Sequence, residues 1–164
     1  MADLKDFQRL LLKTAKEMPE IGIQVIKIEG LKFIKHNFRN EGFDTGAGIK
    51  KWKDRKKNDN RGRDITRYRT SRRGKAGSFN KYGRSIQNRA LLVGHKTAGD
   101  KLTNSFRAVR AGKYAVAFRT YKEYAQRHNE GLNGMPQRQY MGPSKYLDRK
   151  IFKKLKREHD KRLK

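Results

Sequence analysis

Cysteine is absent from the 164 residues, and apolar residues are scarce. Without a thiol, the chain has no disulfide scaffold, thiolate nucleophile, zinc ribbon or iron–sulfur site. No apolar run approaches the ~18–20 residues of a membrane span, and charges interrupt the N-terminal segment every few residues, so we expect neither a signal peptide nor a membrane partner. These absences favour a protein that assembles in the cytoplasm.

Acidic residues are also few. The chain has 16 Asp and Glu against 43 Lys and Arg, which leaves a formal net charge of +27. Only 34% of the residues are hydrophobic, so the core is thin. Self-repulsion therefore opposes compaction unless a polyanion or an acidic partner neutralises the charge. The length fits a single domain spanning 1–164.

The positive charge is concentrated in one quarter of the chain. Residues 50–90 hold 16 basic and 3 acidic residues, about half of the net excess, and Ile65 is their only branched aliphatic residue before Ile86. Such a stretch buries too little to fold alone, so we expect 53–89 to be a long basic loop or insertion and 156–164 to be a basic tail. The candidate nucleic-acid or partner contacts in this region are Lys50, Lys51, Lys53, Arg55, Lys56, Lys57, Arg61, Arg63, Arg67, Arg69, Arg72, Arg73 and Lys75.

Aromatic residues interleave with the arginines of this region, as they do in segments that bind nucleic acid, where rings stack on bases and Lys or Arg pairs with phosphates. The alternative is a solvated loop that binds another protein or packs in an assembly, and the composition leaves both open. For Trp52, the only tryptophan, we predict a core anchor in preference to a stacking platform.

The N-terminal 40 residues predict helix. A first helix spans Asp3 to Met18, with Phe7, Leu10, Leu11 and Thr14 on one face. Pro19 either breaks it or lies in the first turn of a second helix that runs to about Asn40. In this second segment Ile21, Ile23 and Val25 alternate as in a strand, but its length favours a helix. The helix has an apolar stripe at spacings of three and four, formed by Ile21, Val25, Ile28, Leu31, Ile34 and Phe38.

The remaining pattern predicts an α+β fold with a small antiparallel sheet. A turn-rich DTGAG stretch precedes Trp52, Ala90–Gly94 is a short apolar run, and Leu102–Phe106 fits a short helix. Residues 106–119 alternate in polarity around Ala111-Gly112, which predicts a hairpin that includes Tyr114 in its second strand. A helix over Thr120–Gly131 and a C-terminal helix capped by Ser144 complete the prediction.

Residues arranged for catalysis are sparse. The four histidines lie in different elements, and no metal-ligand spacing, paired carboxylate or phosphate-binding loop accompanies them, so we predict no enzyme activity and no cofactor. The tripeptide His128-Asn129-Glu130 suggests a metal-dependent nuclease, but the second ligand and the supporting frame are missing. We therefore interpret His128 as a hydrogen-bonded residue at a helix end.

Two linked segments carry a family resemblance: YAQRHNEG over 124–131 and MPQRQYMGPS over 135–144. They resemble the tail-completion or virion morphogenesis (neck) family of tailed phages and Mu-like prophages, in which a YA-x-x-H-x-x-G helix end precedes P-x-R-x-[FY]-[ILM]-G-x-S and a terminal helix. The basic insertion is longer here than in relatives. The motif residues matched in this chain are Tyr124, His128, Gly131, Pro136, Arg138, Tyr140 and Gly142.

The resemblance implies a non-enzymatic structural protein at the head–tail junction of a virion. Its implied partners are the head connector, the tail tube or terminator, other copies of the chain in a ring, and packaged DNA through non-specific contacts. Charge alone supports an alternative, a basic nucleic-acid-binding protein with no virion role.

The motif residues also suit a well-made loop-to-helix junction inside the fold. In that interpretation Pro136 stiffens the approach and Arg138 bonds backbone carbonyls or a carboxylate. Tyr140 buries its ring, and Gly142 permits a positive φ just before the Ser144 cap.

Overall fold

The computed structural model describes residues 4–54, 90–92 and 101–163, with residues 4–7 described by backbone alone. The predicted α+β class is confirmed, with a long N-terminal helix, two small antiparallel sheets, short helices and a C-terminal helix. The elements in chain order are α1 (Leu4–Arg39), β1 (Gly42–Asp44), β2 (Ile49–Lys51), α2 (Leu102–Ser105), β3 (Arg107–Arg110), β4 (Val116–Arg119), α3 (Tyr124–Glu130) and α4 (Lys145–Arg162). Among the helices of these described stretches, none has both the length and the apolar character that crossing a membrane requires.

Helix α1 is one continuous helix of 36 residues with Pro19 inside it. The helix therefore neither breaks at Pro19 nor gives way to a second helix that begins there, so both predicted alternatives for Pro19 are wrong. A proline removes one backbone hydrogen bond, and the remaining bonds and packing keep the helix intact. The predicted apolar stripe holds in part: Ile34 and Phe38 are buried, whereas Ile28 is 51% exposed and Phe33 is buried in its place. Helix α1 contacts α4, β3, β4, β1 and α2, so its buried residues are not confined to one stripe.

Strands β1 and β2 form a hairpin that the sequence did not predict. They pair antiparallel with Phe43 opposite Lys50, and the amide N–H of Thr45 donates to the carbonyl of Gly48 at 3.0 Å across the turn. Three-residue strands are too short to show a period of two, so only their glycine-rich turn was visible in the sequence. The hairpin leads directly to Trp52, whose amide donates to the Glu41 carbonyl at 2.8 Å.

Strands β3 and β4 form the hairpin predicted near 106–119. Ala108 lies opposite Phe118, and the loop closes where the Ala111 amide donates to the Ala115 carbonyl at 2.9 Å. The prediction that Tyr114 lies in the second strand is wrong, because the strand begins at Val116 and Tyr114 is 65% exposed in the loop. The loop is longer than the predicted two-residue turn.

The core joins residues that lie far apart in the described chain. Its buried members are Ile34, Phe38, Trp52, Leu91, Leu102, Phe106, Ala125 and Tyr140. Trp52 is thus the predicted core anchor: its indole N–H donates to the Gln139 carbonyl at 2.7 Å and its ring meets Phe38 edge to face. Leu91 of the predicted apolar run is buried in the core and Leu92 packs against it, while Val93 and Gly94 lie outside the described residues.

The ends of the last two helices show their predicted caps. Gly131 follows α3 in the left-handed region at φ 76°, and the Ser144 hydroxyl accepts from the amides of Tyr146 and Leu147 at the start of α4. Helix α3 begins at Tyr124 and not at Thr120 as predicted. The Thr120 hydroxyl accepts from the Lys122 amide, which stabilises a turn at that point.

Candidate functional site

Tyr140 lies at the centre of the motif block, where only 3% of the residue is exposed. Its ring packs between Phe38 and Phe106 at centroid distances of 5.1 and 5.3 Å, and its hydroxyl donates to the Ala125 carbonyl at 2.6 Å. Burial is the main cause that raises the pKa of Tyr140 far above its ordinary value, so the phenol stays protonated and keeps donating. The predicted burial of this ring is confirmed.

Arg138 binds the backbone where the chain enters the predicted basic loop. Its guanidinium donates from Nε to the Lys53 carbonyl at 3.1 Å and from Nη2 to the Asp54 carbonyl at 3.3 Å. Of the two kinds of partner predicted for Arg138, backbone carbonyls are therefore the observed one. The residue is 6% exposed, and its amide also donates to the His128 carbonyl at 2.7 Å. Arg138 thereby connects the end of α3 to the residues that follow Trp52.

Asn129 is a junction residue that the sequence did not identify. Its side-chain oxygen accepts from the amides of Tyr140 and Met141 at 3.0 and 2.9 Å. The sequence singles out Asn129 only as part of the tripeptide His128-Asn129-Glu130. The folded chain uses its carboxamide to hold the backbone of the second motif segment against α3.

The two motif glycines lie where a side chain would meet the fold. At Gly131 a Cβ atom would lie 3.0 Å from the Gln137 side chain and 3.1 Å from its amide nitrogen. Gly142 has the predicted positive φ, at 151°, and a Cβ there would meet the Gln139 side-chain amide. Pro136 is half-buried in the connection between them, and Tyr124 is exposed at the first turn of α3.

His128 lies in the last turn of α3, as predicted, but its ring does not make the expected kind of contact. Its ring nitrogen Nδ1 is buried, and no residue that the structure describes offers it a hydrogen bond. The imidazole instead meets the Tyr124 ring edge to face at 5.9 Å, while the main-chain carbonyl of His128 makes the bond to Arg138. Burial, followed by the nearby charge of Arg138, lowers the pKa of His128, so the neutral ring is favoured.

A second candidate site, which we call the basic groove, lies between α1 and α4. The two helices run antiparallel, since Tyr146 at the start of α4 stacks near Phe33 while Arg162 at its end pairs with Glu17 at 3.5 Å. The groove has a volume of about 760 Å³. Within the described residues its basic lining consists of Lys32, Lys35, Arg39, Lys150, Lys153, Lys154, Lys156 and Arg157.

Stacked rings form the floor of the basic groove. The ring of Tyr146 stacks on His36 at 4.9 Å with an interplanar angle of 10°, and Lys150 Nζ lies 5.3 Å from the centre of the Tyr146 ring. His36 Nε2 in turn contacts Asp44 Oδ2 at 3.0 Å. Two carboxylates line the groove, Glu29 and Asp160, and Glu29 contacts Lys32 at 3.2 Å. The lining is therefore strongly positive.

Of the residues predicted as basic-loop contacts, the three that the structure describes, Lys50, Lys51 and Lys53, do not line this groove. Lys50 and Lys51 lie exposed on β2, where Lys51 Nζ donates to the Asn40 carbonyl at 2.7 Å, and Lys53 is exposed after Trp52. The rest of the predicted loop and its contacts lie outside the described residues, namely Arg55, Lys56, Lys57, Arg61, Arg63, Arg67, Arg69, Arg72, Arg73 and Lys75.

The predicted basic tail over 156–164 is helical as far as Arg162, and it contributes Lys156 and Arg157 to the basic groove. Lys150, Lys153, Lys154 and Arg157 recur at spacings that place them on one helical face, which is a signal the sequence carried. The opposing residues of α1 are more than 100 positions away, so the pairing of the two faces was not visible.

Comparison with known proteins found no family model, curated protein or solved structure that matches this chain. Across the described residues, no three His, Asp or Glu side chains converge in a way that could hold a metal ion.

Proposed function

We propose that this chain is a non-enzymatic structural protein of a tailed phage or prophage, a tail-completion or neck component that joins the head connector to the tail. The observation that carries the proposal is how the motif block is used. Arg138, Tyr140 and Asn129 direct their polar atoms to backbone groups of the same chain. A motif whose polar groups bind the backbone of the same chain suits a structural scaffold better than a catalytic site.

The proposal includes the partners that the resemblance implies. These are the head connector, the tail tube or terminator, and further copies of the chain in a ring, because connectors present repeated equivalent surfaces. The basic loop and the basic end of α4 face packaged DNA or acidic neighbouring subunits, and the chain acts at the head–tail junction of the virion after assembly in the host cytoplasm.

Deletion of the coding gene from the phage or prophage tests this function. We expect the lysate to contain DNA-filled heads and tails that remain unjoined in electron micrographs, and a plasmid copy of the gene to restore joined virions. Mass spectrometry of purified wild-type virions should detect the chain. Normal infectious virions from the deletion strain, or virions that lack the chain, would refute the proposal.

The second candidate is a basic nucleic-acid-binding protein with no virion role, and the observation that favours it is the basic groove. This candidate predicts that the monomer binds nucleic acid tightly and that the deletion strain still produces joined virions. Genes beside the coding sequence separate the two candidates further, since portal, capsid, tail-tube or sheath genes support the first.

A further inference from the structure

We propose that the basic groove between α1 and α4 is a binding site for the phosphate backbone of duplex DNA. The site is built from described residues, none of which belongs to the predicted basic loop. The inference deepens the proposed function and rests on it for the setting in which the chain meets DNA. The kind of ligand that the site binds is inferred from the residues of the groove alone.

The spacing of the charges fits a duplex. Lys150 to Arg157 on α4 and Lys32 to Arg39 on α1 each cover seven helical steps, or about 10 Å. Duplex DNA carries one phosphate charge per about 1.7 Å of its axis, so about six charges pass along this length. Two facing basic rows along an open groove can therefore contact several phosphates at once.

The choice of side chains suits contacts to a polyanion that need no fixed geometry at each charge. Six of the eight basic residues in the groove are lysines, which act as flexible point charges and need no fixed partner geometry. The bidentate fork of arginine fixes the geometry of each contact, whether its partner is a carboxylate or a phosphate. The groove contains only Arg39 and Arg157 of that type.

The aromatic floor argues against base stacking and against a hydrophobic anchor. Tyr146 is already stacked on His36, and Phe33 beneath it is buried. Protein interfaces usually centre on an aromatic residue that fills a pocket, and single-strand binders present free ring faces. This groove offers neither, so contact with the backbone, independent of base sequence, is what its chemistry supports.

The test is binding of a fluorescein-labelled duplex of random sequence to the full chain, measured by anisotropy over a range of salt concentrations. The groove variant is Lys150→Gln, Lys153→Gln, Arg157→Gln. The control Lys13→Gln, Lys16→Gln, Lys113→Gln removes the same charge at exposed positions outside the groove. A second groove variant, Lys35→Gln with Arg39→Gln, changes only α1. All these side chains are exposed, and circular dichroism checks that each variant is folded.

For the wild type we expect affinity that falls steeply with salt. The three-site groove variant should bind about tenfold or more weakly at low salt, and the magnitude of its log–log salt slope should fall by about 2 to 3, because each lost phosphate contact removes about 0.9. The control should keep the wild-type slope. The α1 variant should weaken binding in the same direction with a smaller change in slope.

Three results would overturn the site. Equal losses in the groove variant and the control mean that the charge acts diffusely. Absent or salt-insensitive binding by the wild type removes the DNA interaction. Displacement of the duplex by polyglutamate at the same charge concentration points to an acidic protein partner. None of these results alters the virion phenotype of the deletion strain, so the two proposals can fail separately.

Discussion

The side-chain amide of Asn37 on α1 donates to the main-chain carbonyl of Tyr140, 103 residues later, at 3.1 Å. The same side chain accepts from the amide of Asp44 in β1 at 3.0 Å. Asn37 is fully buried, so both of its backbone partners depend on it for hydrogen bonding. One carboxamide therefore joins the long helix, the first hairpin and the motif segment.

Asn37→Ala should lower the free energy of unfolding by about 2 kcal/mol or more. The substitution leaves a buried carbonyl and a buried amide without partners, and each such group costs about 1–3 kcal/mol. Urea denaturation measures the change. Gln24→Ala, at an exposed position of the same helix, is the control and should stay within about 0.5 kcal/mol of the wild type. Equal effects in the two variants would contradict a bridging role for Asn37.

Gly30→Ala should destabilise the protein although helix propensity predicts the opposite. A Cβ atom at residue 30 would overlap the ring of Phe118, so the β3–β4 hairpin has to shift, at a cost of about 1–3 kcal/mol. Gly22→Ala in the same helix meets nothing within 4 Å and should stabilise by about 0.5–1 kcal/mol. Thermal unfolding of both variants measures the two changes in stability, which should have opposite signs.

Combining Phe118→Leu with Gly30→Ala should recover part of the stability that Gly30→Ala loses, because leucine is smaller and has no ring to meet the new Cβ atom. The comparison is the double-mutant cycle with Phe118→Leu alone. Additive losses would show that the contact between residues 30 and 118 is not the cause.

Gly131→Ala should cost about 2 kcal/mol or more, and Gly134→Ala about 1 kcal/mol. Both glycines have positive φ, at 76° and 73°, where an alanine is strained by about 1–2 kcal/mol. At Gly131 the new Cβ also meets the backbone of Gln137, whereas at Gly134 it meets nothing. Urea denaturation of the pair separates the contact from the backbone strain. A larger loss at Gly134 would contradict this account of the motif glycine.

Acid should destabilise the fold through His128. Its pKa is lowered in the folded state, first by burial and then by Arg138, so the unfolded chain takes up a proton at a higher pH than the folded chain. Stability therefore rises with pH wherever the unfolded state binds more protons. The destabilisation that His128 causes is absent at pH values well above 6.5, the usual pKa of histidine. It grows as the pH falls through 6.5 and levels off below the pKa of the folded state.

The measurement for His128 is urea denaturation at about pH 7.5 and pH 5 for the wild type and His128→Gln. The loss of stability between the two conditions should be smaller in the variant, which cannot titrate at this position. The two proteins differ only at residue 128, so the difference isolates that residue. An identical loss in the two proteins would contradict the prediction.

Local patterns predicted the elements whose signals lie close together in the sequence. The alternation around residues 106–119 predicted β3 and β4, Gly131 predicted the end of α3, and Ser144 predicted the start of α4. These features depend on periodicity, on a positive φ or on a cap, each of which involves only a few neighbouring residues. The β1–β2 hairpin was missed because its strands are only three residues long.

The motif block was predictable in part. The predicted burial of Tyr140, the carbonyl partners of Arg138 and the helix-end position of His128 agree with the structure. Asn129 was not recognised, and the Nδ1 atom of His128 has no hydrogen-bond partner among the described residues. A sequence motif identifies which residues form a junction. It does not say which backbone atoms meet them, because those atoms come from distant parts of the chain.

By itself the sequence determined the α+β class, the basic character of the chain and the residue types at its local turns and caps, because these depend on composition and short-range periodicity. Only the tertiary structure decided that Gly30 makes room for Phe118, that Asn37 joins Asp44 to Tyr140, and that α1 and α4 align their lysines along one groove. Each of these arrangements depends on contacts between residues far apart in the chain, and such contacts are set by how helices and hairpins pack.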